Sequence, residues 1–186
     1  MQPWQMVLIV LAVLAVGAAI AWSYYGRYRS RHLKDHFGTE YDRTVAELGD
    51  RQRAESNLRD REARVSKLKI RPLSAADRQR FQDEWVASQS RFVDDPVDAV
   101  YQADELILEI MRARGYPGHD VLERFEDISA MYPSVAPDYR KAREIVARHR
   151  QGDASTEEMR QGMVHYRKIF SELLEEGRYE EYKRAS

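Results

Sequence analysis

Asp94–Gly115, DDPVDAVYQADELILEIMRARG, is the stretch whose reading decides the fold class. Asp95 stands where an N-cap side chain accepts from the first free backbone N–H groups, and Pro96 takes the first helical position, where its missing N–H costs nothing. Val97, Val100, Ala103, Ile107 and Ile110 then recur at three- and four-residue steps, and Leu106 and Met111 widen the stripe. That spacing puts them on one face of a helix. Arg112 and Arg114 suit the last turn, where cations meet the negative end of the helix dipole, and Gly115 suits the left-handed position beyond it.

The same grammar repeats on both sides. Upstream, Pro72 disfavours helix at Arg71, and Ser74 followed by Asp77 opens a helix with Phe81, Trp85, Ser88 and Phe92 on one face. Downstream, Tyr116-Pro-Gly118 is a turn, and Asp120 caps a short helix carrying Leu122, Phe125 and Ile128. Tyr132-Pro-Ser134 closes that helix, and Ser134 is expected to cap the next, which buries Tyr139, Ala142, Ile145 or Val146 and carries His149 near its end. Ser155 or Thr156, followed by Glu157 and Glu158, opens the last long helix, with a stripe of Met159, Met163, Tyr166, Phe170 and Leu173. Gly177 is expected to end it, with residues 179–186 fraying. No segment alternates like a strand between turn signals. The expected fold class is therefore all-α, with a bundle of about five helices from Ser74 onward.

Before the bundle, Leu33, Phe37, Tyr41, Val45 and Leu48 again keep helical spacing. More than half of Asp50–Lys69 is charged, with Leu58, Val65 and Leu68 as its large apolar residues. Glu55/Arg59 and Asp60/Arg64 are i,i+4 pairs in the favourable order. Heptads through Tyr41, Leu48, Leu58 and Val65 would leave Arg51, Glu55 and Glu62 on the seam, which makes a poor coiled coil. A solvated helix with one thin apolar edge is the expectation.

Charge divides the chain further. Residues 1–26 contain no Lys, Arg, Asp or Glu; residues 27–71 carry 13 basic and 8 acidic residues, net +5; residues 72–186 carry 17 and 23, net −6. The expected organisation is a transmembrane anchor over 1–26, a basic juxtamembrane helical stalk over 27–71 and an acidic helical bundle over 72–186. The run from Met6 to Trp22 is apolar throughout, and a helix from Trp4 to Trp22 rises roughly 27 Å, close to the hydrocarbon thickness of a bilayer. Trp4, Trp22, Tyr24 and Tyr25 fit interfacial belts. Arg27, Arg29, Arg31 and Lys34 follow the run while no cation precedes it, which places the C-terminal body in the cytoplasm and the basic stalk near anionic headgroups. A cleaved export signal is the alternative, with Ala19-x-Ala21 resembling a cleavage site.

With no cysteine among 186 residues, disulfide scaffolds, Cys-ligated zinc, iron–sulfur clusters and thiol nucleophiles are excluded. The sequence holds no phosphate loop, nucleotide fingerprint, nucleophile elbow, HExxH or EF-hand loop. The acidic body disfavours nucleic acid as a partner. His32 and His36 share a helical face at i,i+4, but they lie in a cationic cluster and lack the glutamate of a zincin. The most suggestive cluster is His165-Tyr166-Arg167, expected to face Asp104, Glu105 or Arg114 across the bundle. His165, Tyr166, Arg114 and Asp104 are thus the candidate polar network, read first as structural because nothing positions a nucleophile beside them. No catalytic residue, metal ligand or cofactor is expected.

Four stretches carry a resemblance: LKDHFGTEYDRTVAELGDRQRAE (33–55), IRPLSAADRQRFQDEWVASQSRFVDDP (70–96), AVYQADELILEIMRARGYP (99–117) and TEEMRQGMVHYRKIFSELL (156–174). In them the chain resembles an uncharacterised bacterial family of helical proteins with RFVDDP, MRxRGYP and MVHYR-type motifs, often with an N-terminal apolar segment and often labelled secreted. The resemblance covers most of residues 33–174 and brings no reaction, cofactor or catalytic residue with it. Its members tend to read SVDHP where this chain has Ser129–Pro133, SAMYP, so a histidine role there is absent here. The leading functional expectation is a single-pass, membrane-tethered interaction or scaffold module that binds a protein partner or itself. The alternatives are a ligand-binding or enzymatic bundle lined by His165, Tyr166, Arg114 and Asp104, and an exported envelope or stress protein.

Overall fold

The computed structural model describes residues 28–117, 120–151 and 154–175, together with Leu14, Val16, Gly17 and Tyr24. Every regular element among them is α-helical. Helix α1 is described over 28–37, and seven more follow: α2 (Thr39–Leu48), α3 (Arg51–Val65), α4 (Ala75–Arg91), α5 (Pro96–Arg114), α6 (Val121–Met131), α7 (Ala136–Arg150) and α8 (Thr156–Leu174). The chain divides into two compact units, Met1–Glu55 and Ser56–Ser186, with the boundary inside α3.

The expected membrane anchor is corrected. Among the described residues, no helix is long and apolar enough to cross a membrane. The described helices are too charged to do so. Even α5, with a continuous apolar stripe over 19 residues, carries Asp98, Asp104, Glu105, Glu109, Arg112 and Arg114, and each charge at membrane depth is costly. Of the expected anchor and its aromatic belts, Leu14, Val16, Gly17 and Tyr24 are described; Trp4, Trp22, Tyr25 and Arg27 lie outside the described residues. Arg29 and Arg31 are exposed, and Lys34 pairs with Asp42 at 3.6 Å. Membrane tethering, a single-pass topology, anionic lipid as partner of the basic segment and a cell-membrane location with a cytoplasmic body are withdrawn together.

In the first unit, Leu33, Phe37 and Tyr41 are buried, whereas Leu48 is exposed. Gly38 and Gly49 both have positive φ, and Gly49 ends α2 in the left-handed conformation. The Tyr41 hydroxyl donates to Glu55 at 2.8 Å, and Arg51 Nε reaches the same carboxylate at 2.8 Å. Glu55 therefore draws its cation from the residue four before it.

In the second unit, α8 packs against both α5 and α7, α4 packs on α5, and α6 packs on α7. Four caps make these helices discrete. Asp77, Asp98, Glu123 and Glu158 donate backbone N–H groups to Ser74, Asp95, Asp120 and Ser155, and Ser155 with Glu158 closes a full capping box. The first turn of α7 differs. Its cap is Val135, with no side-chain acceptor, and Ser134 does not serve as expected. The stripes are buried largely as their spacing predicts: Phe81, Trp85 and Ser88; Val100, Ala103, Ile107 and Ile110; Tyr139, Ala142 and Val146; Met159, Met163, Tyr166, Phe170 and Leu173. Three positions differ, since Phe92 and Val97 are half-buried and Leu122 exposed. Trp85 stacks on Phe170 with ring centroids 4.8 Å apart, linking α4 to α8. Gly162 brings α8 close to α7, where an added Cβ would sit 3.6 Å from Ile145 Cγ2.

The part of α3 in this unit is fastened by apolar burial and by charge. Leu58 and Val65 are buried. Arg64 reaches Asp127 at 3.0 Å and Glu126 at 2.9 Å, and Arg61 donates to Ser129 at 3.1 Å. Arg64 is thus spent on α6.

Candidate functional site

The candidate polar network is centred on Asp104, 6% exposed on α5. The Tyr166 hydroxyl on α8 donates to its Oδ1 at 3.0 Å. Arg143 on α7 hydrogen-bonds its Oδ2, and Arg124 Nη1 on α6 lies 3.6 Å from the same oxygen. One carboxylate therefore ties four helices. Tyr139 stands one turn before Arg143 on α7, is fully buried, and stacks on Phe125 of α6 with centroids 6.5 Å apart. Burial and the nearby Asp104 push its phenol up to about 12. The same causes push the Tyr166 phenol well above its ordinary value. Both hydroxyls stay protonated at neutral pH, so Tyr166 serves Asp104 as a donor, not as a base.

His165 and Arg114 are not members of this cluster. Consecutive helical residues point roughly 100° apart, so His165 cannot share the face of Tyr166. Its Nδ1 instead meets Asp138 of α7 at 2.6 Å, and Lys168 Nζ reaches the same Asp138 oxygen at 2.9 Å. Burial opposes the charge on Asp138, but the hydrogen bonds from Lys168 and His165 prevail and hold its carboxyl below the ordinary range. Arg114, 1% exposed, donates Nη1 to the Leu173 carbonyl at 2.8 Å and lies over the Tyr132 ring. It caps the C-terminal end of α8, where carbonyls lack helical partners. The Tyr116 and Tyr132 hydroxyls are buried in the same region, and burial is the first cause raising both phenols.

Comparison with protein-family models, curated proteins and solved structures gives no match. The site is therefore read on its own chemistry. Tyr166 and Asp104 meet as the sequence suggested; Arg124, Tyr139 and Arg143 were missed. Tyr139 and Arg143 share a helical face at i,i+4, and Arg124 shares one with Ile128, which is the only signal the sequence offered. Among the described residues there is no group of three His, Asp or Glu side chains able to hold a metal ion. His32 and His36 stack with ring centroids 6.2 Å apart.

A second polar feature opens to solvent. A groove of about 470 Å³ runs beside the first turn of α7 and the C-terminal half of α8, lined by Ser134, Asp138, Arg167, Lys168, Ser171 and Glu172 among others. Arg167 is exposed there. The groove is open to solvent and presents both signs of charge beside apolar surface, which suits a polypeptide segment better than an enclosed apolar ligand.

Proposed function

We propose that the chain is a helical recognition module that acts by binding rather than by catalysis, and that the α7–α8 groove takes a charged segment of a protein partner. The observation that supports this reading is the separation of the two polar features. The groups with perturbed ionisation around Asp104 are buried and turned on one another, as in a structural tie, while the accessible charges Arg167 and Lys168 border an open groove. Complementary charge at such a surface steers partners and sets register. The resemblance to the uncharacterised bacterial family adds no reaction to this reading.

The test is site-specific photo-crosslinking of the full chain in its native host. A photoreactive residue at Ser171 should give one adduct of discrete mass, lost on Arg167→Glu, whereas the same residue at exposed Gln82 on α4 gives none. Identical adducts from both positions, or none from Ser171, would overturn the reading.

A further inference from the structure

The Asp104 cluster is not electrically balanced. Its members act on one another: Tyr139 feels Asp104, Arg124 and Arg143, while Arg143 and Tyr166 feel Asp104 and each other. Within it, two guanidinium groups face one carboxylate. Arg124 is 9% exposed, and the Arg143 side chain 19%. Neither Tyr139 nor Tyr166 supplies a negative charge, because both phenols are held protonated.

Its hydrogen bonding is incomplete on the same side of the ledger. The Arg124 Nε and Nη1, the Arg143 Nε and the Tyr139 hydroxyl are buried without a hydrogen-bond partner. The guanidinium nitrogens are donors only, and the hydroxyl has a proton to give. Asp104 already takes Tyr166 on one oxygen and Arg143 on the other. The carboxylate keeps lone pairs toward Arg124 Nη1, 3.6 Å from Oδ2, but the Nε donors of Arg124 and Arg143 and the Tyr139 proton are left without an acceptor, and one positive charge is left over. Buried charge is normally paired and buried donors normally satisfied, and a cluster of exceptions calls for a specific guest. Water would answer the donors but not the charge. A monovalent anion answers both.

We infer that the buried Arg124–Tyr139–Arg143 side of the Asp104 cluster binds one small monovalent inorganic anion, of the size and charge of chloride, between α5, α6, α7 and α8. The anion accepts from Tyr139 Oη and the unpartnered guanidinium N–H groups, and brings the cluster to neutrality. Because these side chains come from two helices, α6 and α7, and surround the Asp104 of a third, the anion acts as an internal fastener. Stability of the chain then depends on which anion is in solution and not on ionic strength alone.

Thermal unfolding of the full chain tests this at constant ionic strength, with sodium chloride or bromide replacing sodium gluconate, whose anion is too large to enter. The transition temperature is expected to climb with the logarithm of chloride concentration above the dissociation constant. Tyr139→Phe keeps the ring and should weaken the apparent chloride affinity about tenfold, the worth of one good hydrogen bond. Arg124→Gln should abolish the dependence; if that variant does not fold, Tyr139→Phe decides alone. Crystals grown in bromide should show an anomalous peak within hydrogen-bonding distance of Tyr139 Oη. Equal curves in chloride and gluconate, a chloride effect unchanged in Tyr139→Phe, or an ordered water in place of the bromide peak would each overturn the inference.

Discussion

Tyr166 and Asp104 lie 62 positions apart in the chain, yet the hydroxyl of one donates to the carboxylate of the other at 3.0 Å in the buried interior. That bond joins α8 to α5 across the second unit. Removing its two ends is expected to have unequal effects. Tyr166→Phe deletes one donor and should cost about 1 kcal/mol. Asp104→Ala strands Arg124 and Arg143 without their counter-charge and should cost about 3–5 kcal/mol. Urea unfolding of both variants checks this; equal losses would show that the carboxylate does not hold the guanidiniums.

Arg114 offers a second comparison. Its side chain is buried and satisfies the Leu173 carbonyl, so its charge serves an element other than its own helix. Arg114→Met keeps much of the volume but leaves that carbonyl without its donor. A loss of about 1–3 kcal/mol is expected, with amide exchange quickening first in the last turn of α8. Unchanged protection there would refute the capping role.

Gly115 and Gly38 both have positive φ, but their surroundings differ. An added Cβ at Gly115 would lie 2.8 Å from the Lys69 carbonyl oxygen, whereas at Gly38 nothing stands within 4 Å. Gly38→Ala should carry the left-handed conformational cost alone, about 1–2 kcal/mol. Gly115→Ala adds a clash with backbone, which also accepts little movement because Arg71 donates its N–H to the Arg114 carbonyl at 2.9 Å. The larger drop in transition temperature should therefore belong to Gly115→Ala.

Asp138 predicts an acid limb. Its folded-state carboxyl is held below the ordinary 3.8 by Lys168 and His165 acting against burial. A depressed carboxylate contributes stability above its unfolded value and loses it as pH falls through the folded value. Unfolding midpoints between pH 6 and pH 2 should decline below about pH 4 in the native chain and less steeply in Asp138→Asn. Parallel profiles would remove Asp138 from the acid response. Asp127 works in the opposite sense, because burial raises its carboxyl despite Arg64. Its contribution is present at low pH and is lost as pH rises from the ordinary 3.8 through the raised value.

Much of the architecture is legible in the sequence. Asp95-Pro96, Gly115, Ser74, Asp120 and Ser155 mark helix ends through interactions only three or four residues long, so local sequence is enough to place them. The apolar stripes follow for the same reason. Ser134 is not the cap because α7 begins at Ala136, which leaves the cap position to Val135. The apolar leader is a different case: its hydropathy predicts a span, most of it lies outside the described residues, and among those described no helix is long and apolar enough to cross a membrane.

By itself the sequence determined that the chain is helical, where most helices begin and end, and which face of each is apolar. Those are short-range properties of dihedral preference, capping and periodicity. Tertiary structure decided which charges meet. Tyr166 found Asp104 while adjacent His165 found Asp138, and Arg114 left its own helix end to cap α8. Helical spacing gives the direction of a side chain but not the identity of the helix it faces. The pairing of α5, α6, α7 and α8 around one carboxylate exists only once α8 has returned to pack between α5 and α7.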